Sequence, residues 1–145
     1  MAGKVGALTI DPADHAKLKN PRDSFSSAYG NLQQAIASLV SSTDSVDRAY
    51  TIVKQNSGYY SVLNAEAFKS DARDSQLYHP LVSPPRELLD SFSSHAHKTT
   101  SHPYSDRWGT WYSSYWPVMD QEGQVQFILA VDSHAAKFEA PLIQL

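Results

Sequence analysis

The stretch that most limits what this chain can become runs from Tyr104 to Asp132. It holds all three tryptophans and three of the eight tyrosines. Two runs within it, Trp111–Met119 and Gln124–Asp132, are rich in aromatic and β-branched residues, which fit a pleated, half-buried surface. Between them lies Asp120-Gln121-Glu122-Gly123, a polar break closed by glycine, so the pattern predicts a β-hairpin. With those four residues as the loop, Met119 pairs with Gln124. Trp111, Ser113 and Tyr115 then share a face with Asp132, Ala130 and Ile128, because side chains alternate along a strand. Tyr112, Trp116 and Val118 fall on the other face with Val125, Phe127, Leu129 and Val131. That second face is mostly apolar and suits a core. The first mixes rings, a hydroxyl and a carboxylate, a composition that suits a small-molecule pocket.

Composition narrows the function classes. At 145 residues and 41% hydrophobic, the chain suits one domain around one core. Its formal charge is −3 with acids and bases interspersed, which argues against a nucleic-acid surface. The absence of cysteine excludes disulfides, thiolate zinc sites and thiol catalysis. No run nears the roughly 18 consecutive apolar residues that cross a bilayer. The start shows no signal-peptide pattern, so a soluble domain is expected.

Ahead of the hairpin, Asp11-Pro12-Ala13-Asp14 suits a short helical turn. From Ser24 to Val40 the apolar residues Phe25, Tyr29, Leu32, Ile36, Leu39 and Val40 recur at helical spacing, and Asp23 or Ser24 is the expected N-cap. Val46–Val53 and Tyr59–Asn64 read as two strands joined by a polar turn over Lys54–Gly58. The segment from Ala65 to Ser101 is punctuated by Pro80, Pro84 and Pro85. It is expected to hold a helix beginning near Ser83, with Leu88, Leu89 and Phe92 inward. After Asp132, Ser133 is expected to cap a short helix running through Phe138 until Pro141. Two hairpins separated by a helical insertion and preceded by a helix predict an α+β domain with an antiparallel sheet. The long helix would cover one face of the sheet and the loop-rich middle segment the other.

The run Asp106-Arg107-Trp108-Gly109-Thr110-Trp111-Tyr112-Ser113-Ser114-Tyr115, the turn Pro117-Val118 with Asp120 and Gly123, and the strand end Ala130-Val131-Asp132 resemble the Cache family. These are PAS-like (PDC) sensor domains found outside the cytoplasm in bacterial receptors. Asp14-His15, the helix around Tyr29 and the strand with Tyr50 resemble the front of such a domain, so the similarity spans about Asp11 to Lys137. It implies a periplasmic or otherwise extracytoplasmic domain set between membrane spans of a histidine kinase, diguanylate cyclase or chemoreceptor. The spans and the output domain would lie outside these residues. The resemblance also implies a homodimer, no cofactor, and a small polar ligand of the carboxylate or amino-acid class under loops against the sheet. Asn64 departs from the family, where related domains often carry Asp.

The candidate ligand-binding residues are Arg107, Trp108, Trp111, Ser113, Tyr115 and Asp132. Arg107 suits a bidentate clamp on a carboxylate, or an exposed ion pair. Trp108 and Trp111 suit pocket walls, or core. Asp132 suits acceptance of a hydrogen bond from a ligand ammonium or hydroxyl, or the N-cap of the following helix. Ser113 and Tyr115 share its face, and Asp106 is expected to fix its loop through backbone hydrogen bonds. His95 and His97 cannot share a helical face, and with His102 and His79 they are expected to be solvated rather than to hold a metal. No phosphate loop, nucleophile elbow or zinc-protease pair occurs, so no catalytic residue is expected. The alternative to a ligand sensor is a receptor interaction or dimerisation domain whose sheet is filled by its own Trp and Tyr rings.

Overall fold

The protein is described by a computed structural model covering residues 10–66 and 78–137. Near the N-terminus, Asp11 accepts from the Ala13 N–H at 2.9 Å and caps α1, Pro12–His15, whose first residue is a proline that has no N–H to leave unpaired. Pro21–Phe25 forms a 3₁₀ turn under a capping box of Asn20 and Asp23. Helix α2, Ser27–Ser41, follows with Ser26 as its N-cap, accepting from the Tyr29 N–H at 3.2 Å. The helix therefore starts later than its apolar spacing predicts. Phe25 belongs to the 3₁₀ turn and stands 92% exposed instead of joining the stripe. Leu32, Ile36, Leu39 and Val40 do form the buried face.

Eight-residue β1, Arg48–Gln55, turns at Asn56 into β2, Gly58–Glu66. After a two-residue strand β3, His79–Pro80, comes α3, Arg86–Ser94. The chain ends its described course through β4 (Lys98–Thr99), β5 (Tyr104–Asp106), β6 (Gly109–Met119) and β7 (Val125–His134). These strands build one antiparallel sheet in the order β3-β2-β1-β7-β6-β4, with β5 also on β6.

The sheet has two different faces. One packs Ala49, Leu63, Phe127 and Leu129 against Leu32, Ile36 and Leu39 of α2. Fully burying side chains of this size stabilises by about 1.5–3 kcal/mol each, which makes this layer the main hydrophobic store of the fold. His15 is sealed into it, stacked on Phe127 at 4.1 Å with Nε2 2.8 Å from the Thr51 hydroxyl. The other face packs Tyr50, Ile52, Tyr115, Ile128 and Ala130 against Leu88 of α3. Helix α3 turns Leu88, Ser91 and Phe92 inward, whereas Leu89 is 37% exposed and not part of the inner face.

The hairpin β6–β7 keeps the expected faces but not the expected partners. Trp111 pairs with His134, Ser113 with Asp132 and Tyr115 with Ala130, one full pleat repeat away from the predicted register. The cause lies at the turn. Gln124 is part of the loop: its carbonyl accepts from the Asp120 N–H at 2.8 Å, and the Asp120 carboxylate accepts from the N–H groups of Glu122 and Gln124. A bulge between Val118 and Met119 then adjusts the pairing. It places Val125 with the Ile128 cluster, not with Phe127. Strand β7 runs through His134, so Ser133 opens no helix; its hydroxyl donates to the Ser45 carbonyl. The expected end of that helix at Phe138 and Pro141 lies outside the described residues.

Candidate functional site

Arg48 opens β1 on the face away from α2, and the sheet register sets it beside Asp132 of β7, which in turn sits beside Ser113 of β6. Three strands thus deliver a cation, a carboxylate and a hydroxyl in one row. Arg48 Nε donates to Asp132 Oδ2, and Arg48 Nη2 donates to Asp106 Oδ2 at 2.6 Å. Asp132 Oδ1 accepts from the Ser113 hydroxyl at 2.5 Å and more weakly from the Tyr50 hydroxyl at 3.4 Å. With the Ser113 proton committed to Asp132, the Tyr104 hydroxyl is the donor in its 2.7 Å contact with Ser113 Oγ. Asp132 is 0% exposed, so its charge depends on these partners.

Asp106 anchors the other end of Arg48. Its Oδ1 accepts from the Trp108 N–H (2.9 Å), the Gly109 N–H (3.1 Å) and the Trp111 indole N–H (2.9 Å). This is the loop-fixing role expected of it, with an ion pair added. The Arg48 guanidinium also lies 4.0 Å from the centroid of the Trp111 ring, which stacks on His134 at 4.3 Å. A Cβ at Gly109 would meet Trp111 at 3.1 Å, which explains a glycine where the backbone passes beneath that ring.

Burial opposes the charge on Arg48, but the field of Asp132 and the hydrogen bonds to both carboxylates overcome it, so its pKa rises above the usual arginine value. Burial pushes the Asp132 carboxyl above its ordinary range, with Arg48, Ser113 and Tyr50 pulling the other way. For Asp106, partial burial is outweighed by the Trp111 and Arg48 hydrogen bonds, and its pKa falls.

Above this row is a cavity of about 470 Å³. Arg48, Tyr50 and Tyr115 form its floor, Leu81, Pro84 and Leu88 contribute an apolar wall, and Asp106, Arg107 and Trp108 stand at its rim. The Tyr115 hydroxyl belongs to a fully buried side chain. Burial, with the neighbouring Tyr104 and Asp132, raises its pKa, and it lies close to the Ser113 and Tyr104 side chains. Arg107 stacks on the 41% exposed Trp108 ring, its guanidinium carbon 4.2 Å from the centroid.

Of the six residues proposed from sequence, Arg107, Trp108 and Tyr115 line the cavity. Trp111, Ser113 and Asp132 lie one layer beneath, holding Arg48. Asp132 caps no helix, since it is an interior residue of β7 whose carboxylate faces Arg48 and Ser113. Sequence reasoning missed Arg48, Tyr50 and Tyr104. The available signal was a charged residue inside the apolar run Val46–Val53, an arrangement that needs a buried partner. Among the described residues, no group of three or more His, Asp or Glu side chains is placed to hold a metal. His97 instead stacks on Trp116 at 3.7 Å.

No family model and no curated protein matches this sequence. Solved structures do match the fold. The extracellular domain of mmHK1S-Z2, assigned as a histidine kinase, aligns with 96% of this chain and 58% of its own length at TM-score 0.53 and 13% identity. The ligand-binding domain of the Campylobacter jejuni chemoreceptor Tlp3 aligns in two complexes. With 4-methylisoleucine the TM-score is 0.56 at 10% identity, covering 96% of this chain and 58% of that one. With L-valine it is 0.53 at 13% identity, covering 96% and 59%. The chain spans under two thirds of the length of the domains it matches. The chain shares the fold of these extracellular and ligand-binding domains, the fold that the Cache resemblance implies. The Tlp3 domain is a ligand-binding one, in complex with 4-methylisoleucine in one structure and with L-valine in the other. No helix among the described residues is long and apolar enough to cross a membrane.

Proposed function

We propose that this chain is the extracytoplasmic sensor domain of a transmembrane signalling receptor and binds a small polar ligand of the carboxylate or amino-acid class. The cavity on the face away from α2 carries this reading: an apolar wall over a floor with a few convergent polar groups is the usual composition of a small-molecule site. The amino acids bound by the Tlp3 domain, which shares the fold, support the same class. In this reading Arg107 and Trp108 touch the ligand, Tyr115 closes the floor from beneath, and Trp111, Ser113 and Asp132 fix that floor. An interaction domain with its sheet filled by its own rings fits less well, because space remains above Tyr50 and Tyr115.

Signalling then requires that ligand favour one conformation of the domain over another, passing through the segments flanking the sheet to membrane spans outside these residues. A homodimer through the exposed side of α2 belongs to the same proposal, and sedimentation of the purified domain measures it. Thermal-shift screening against carboxylates, amino acids and sugars tests the central claim. A true ligand at 100 times its dissociation constant adds about 2.7 kcal/mol of stability. A full panel that leaves the melting temperature unmoved would sink the small-molecule reading.

A further inference from the structure

The layer between α2 and the sheet seals in an ionisable ring that the cavity does not use. His15 is 3% exposed, stacked on Phe127, with Nε2 2.8 Å from the Thr51 hydroxyl. Thr51 Oγ accepts from the Leu63 N–H at 3.1 Å, which leaves the Thr51 proton to donate to the ring. Nε2 is thus an acceptor, and the neutral ring carries its own proton on Nδ1. A second proton would have to go to Nε2, where it meets a donor in a layer that cannot hydrate the charge.

Among the described residues, no counterion faces that position. Helix α2 has no charged residue, and β2 has none from Gly58 to Ala65. Arg48 and Lys54 of β1 and Asp132 of β7 belong to the opposite face of the sheet. On the segment of His15 itself, Asp11 caps the Ala13 N–H and Asp14 pairs with Lys17 at 3.1 Å, both toward the surface. Tyr29, Tyr60 and Tyr78 border the layer and stay neutral in acid.

The rest of the hold on this segment is thin. Ile10 and Leu18 pin its two ends among the buried residues, and the Pro12 carbonyl accepts from Gln126 Nε2 at 2.7 Å. Without it, Leu32, Ile36, Phe127 and Leu129 remain to hold α2 on the sheet. Going beyond ligand sensing, we propose that α1 is an acid-released latch: protonation of His15 lifts residues 10–16 off the sheet while α2 and the strands stay folded. In an extracytoplasmic sensor, acid then acts from the side of the sheet opposite the cavity.

Amide exchange of the ligand-free protein at about pH 7.5 and about pH 5, each rate divided by its unstructured value, measures this opening. The N–H groups of His15 and Ala16, bonded to the Asp11 and Pro12 carbonyls, are the reporters. The ring titrates near 6.5 when released and at about 4 when docked, so their opening constant should rise about thirtyfold between the two conditions. His15→Leu keeps an apolar side chain against Phe127, and His15→Gln keeps an acceptor for Thr51; each should remove the rise. A rise that survives both substitutions overturns the proposal, as does its absence from the wild type. So does a segment that opens only together with the amides of β1 and β7, because acid then loosens the whole fold.

Nuclear magnetic resonance titration of the wild-type imidazole gives an arm that needs no variant. A His15 ring that titrates at its ordinary 6.5 overturns the latch. No ligand enters either experiment, so the thermal-shift screen judges the sensor reading separately.

Discussion

Asp132 shows how burial decides what a single residue can report. In an exposed position, truncating it would test ligand contact directly. Here the same change leaves Arg48 without its main partner inside the protein. Asp132→Ala is therefore expected to cost about 3–5 kcal/mol, measured by urea denaturation, whether or not a ligand touches the carboxylate. Replacing the pair together, Arg48→Met with Asp132→Leu, should recover much of that loss, because the stranded charge disappears with its partner. A double variant as unstable as the single one would mean that packing, not charge, sets the cost.

His15 yields a pH dependence of definite sign. Burial against Phe127 lowers its pKa from 6.5 to about 4, a backbone hydrogen bond opposing only in part. The unfolded chain thus binds a proton that the folded chain refuses between these values. Stability contributed by neutral His15 is fully present above pH 6.5 and is lost as pH falls toward about 4. The shift corresponds to roughly 3 kcal/mol at most. Melting temperature against pH should show this acid limb in the wild type and a flatter one in His15→Leu. An equally steep limb in the variant would assign it to other groups.

At the scale of elements, the β6–β7 turn is where sequence legibility stops. Strand alternation assigns Trp111, Ser113, Tyr115 and Asp132 to one face, because that depends only on the parity of the register. Pairing partners depend on the turn, and there Asp120 recruits two N–H groups and draws Gln124 into the loop, which no periodicity reveals. Gly123 sits at φ +80°, a conformation that costs an L side chain. Gly123→Ala should destabilise by about 1 kcal/mol and accelerate amide exchange in the turn, leaving ligand affinity untouched. Helix α2 was legible for a similar reason: Leu32, Ile36 and Leu39 repeat on one stripe. Its start was not, since a 3₁₀ turn around Pro21 competes locally with the helix. The site floor was half legible. Ser113 and Asp132 announce themselves on the hairpin, but Arg48 comes from a distant strand, and only the sheet order unites them.

For the whole molecule, the sheet divides a stable layer from a covering one. The α2 face holds the larger buried cluster, whereas the cavity side is covered by the proline-rich segment and nine-residue α3. Hydrogen exchange should therefore be slowest in β1, β6 and β7. A compound that raises the melting temperature in the screen should, at saturation, slow exchange mainly over 79–94 and leave α2 nearly unchanged. Protection concentrated in α2 instead would place the ligand on the wrong side of the sheet.

One step along the chain from Arg48, Asp47 also makes buried contacts, but with the outgoing segment. Its carboxylate accepts from the His134 N–H at 2.8 Å and from Lys137 Nζ at 2.7 Å. Two adjacent side chains at the start of β1 thus grip the cavity floor and the chain leaving β7. Sliding β1 against β7 loads both grips at once, like two bolts through one plate. The cavity floor and the chain leaving β7 are thus fastened to neighbouring positions of one strand.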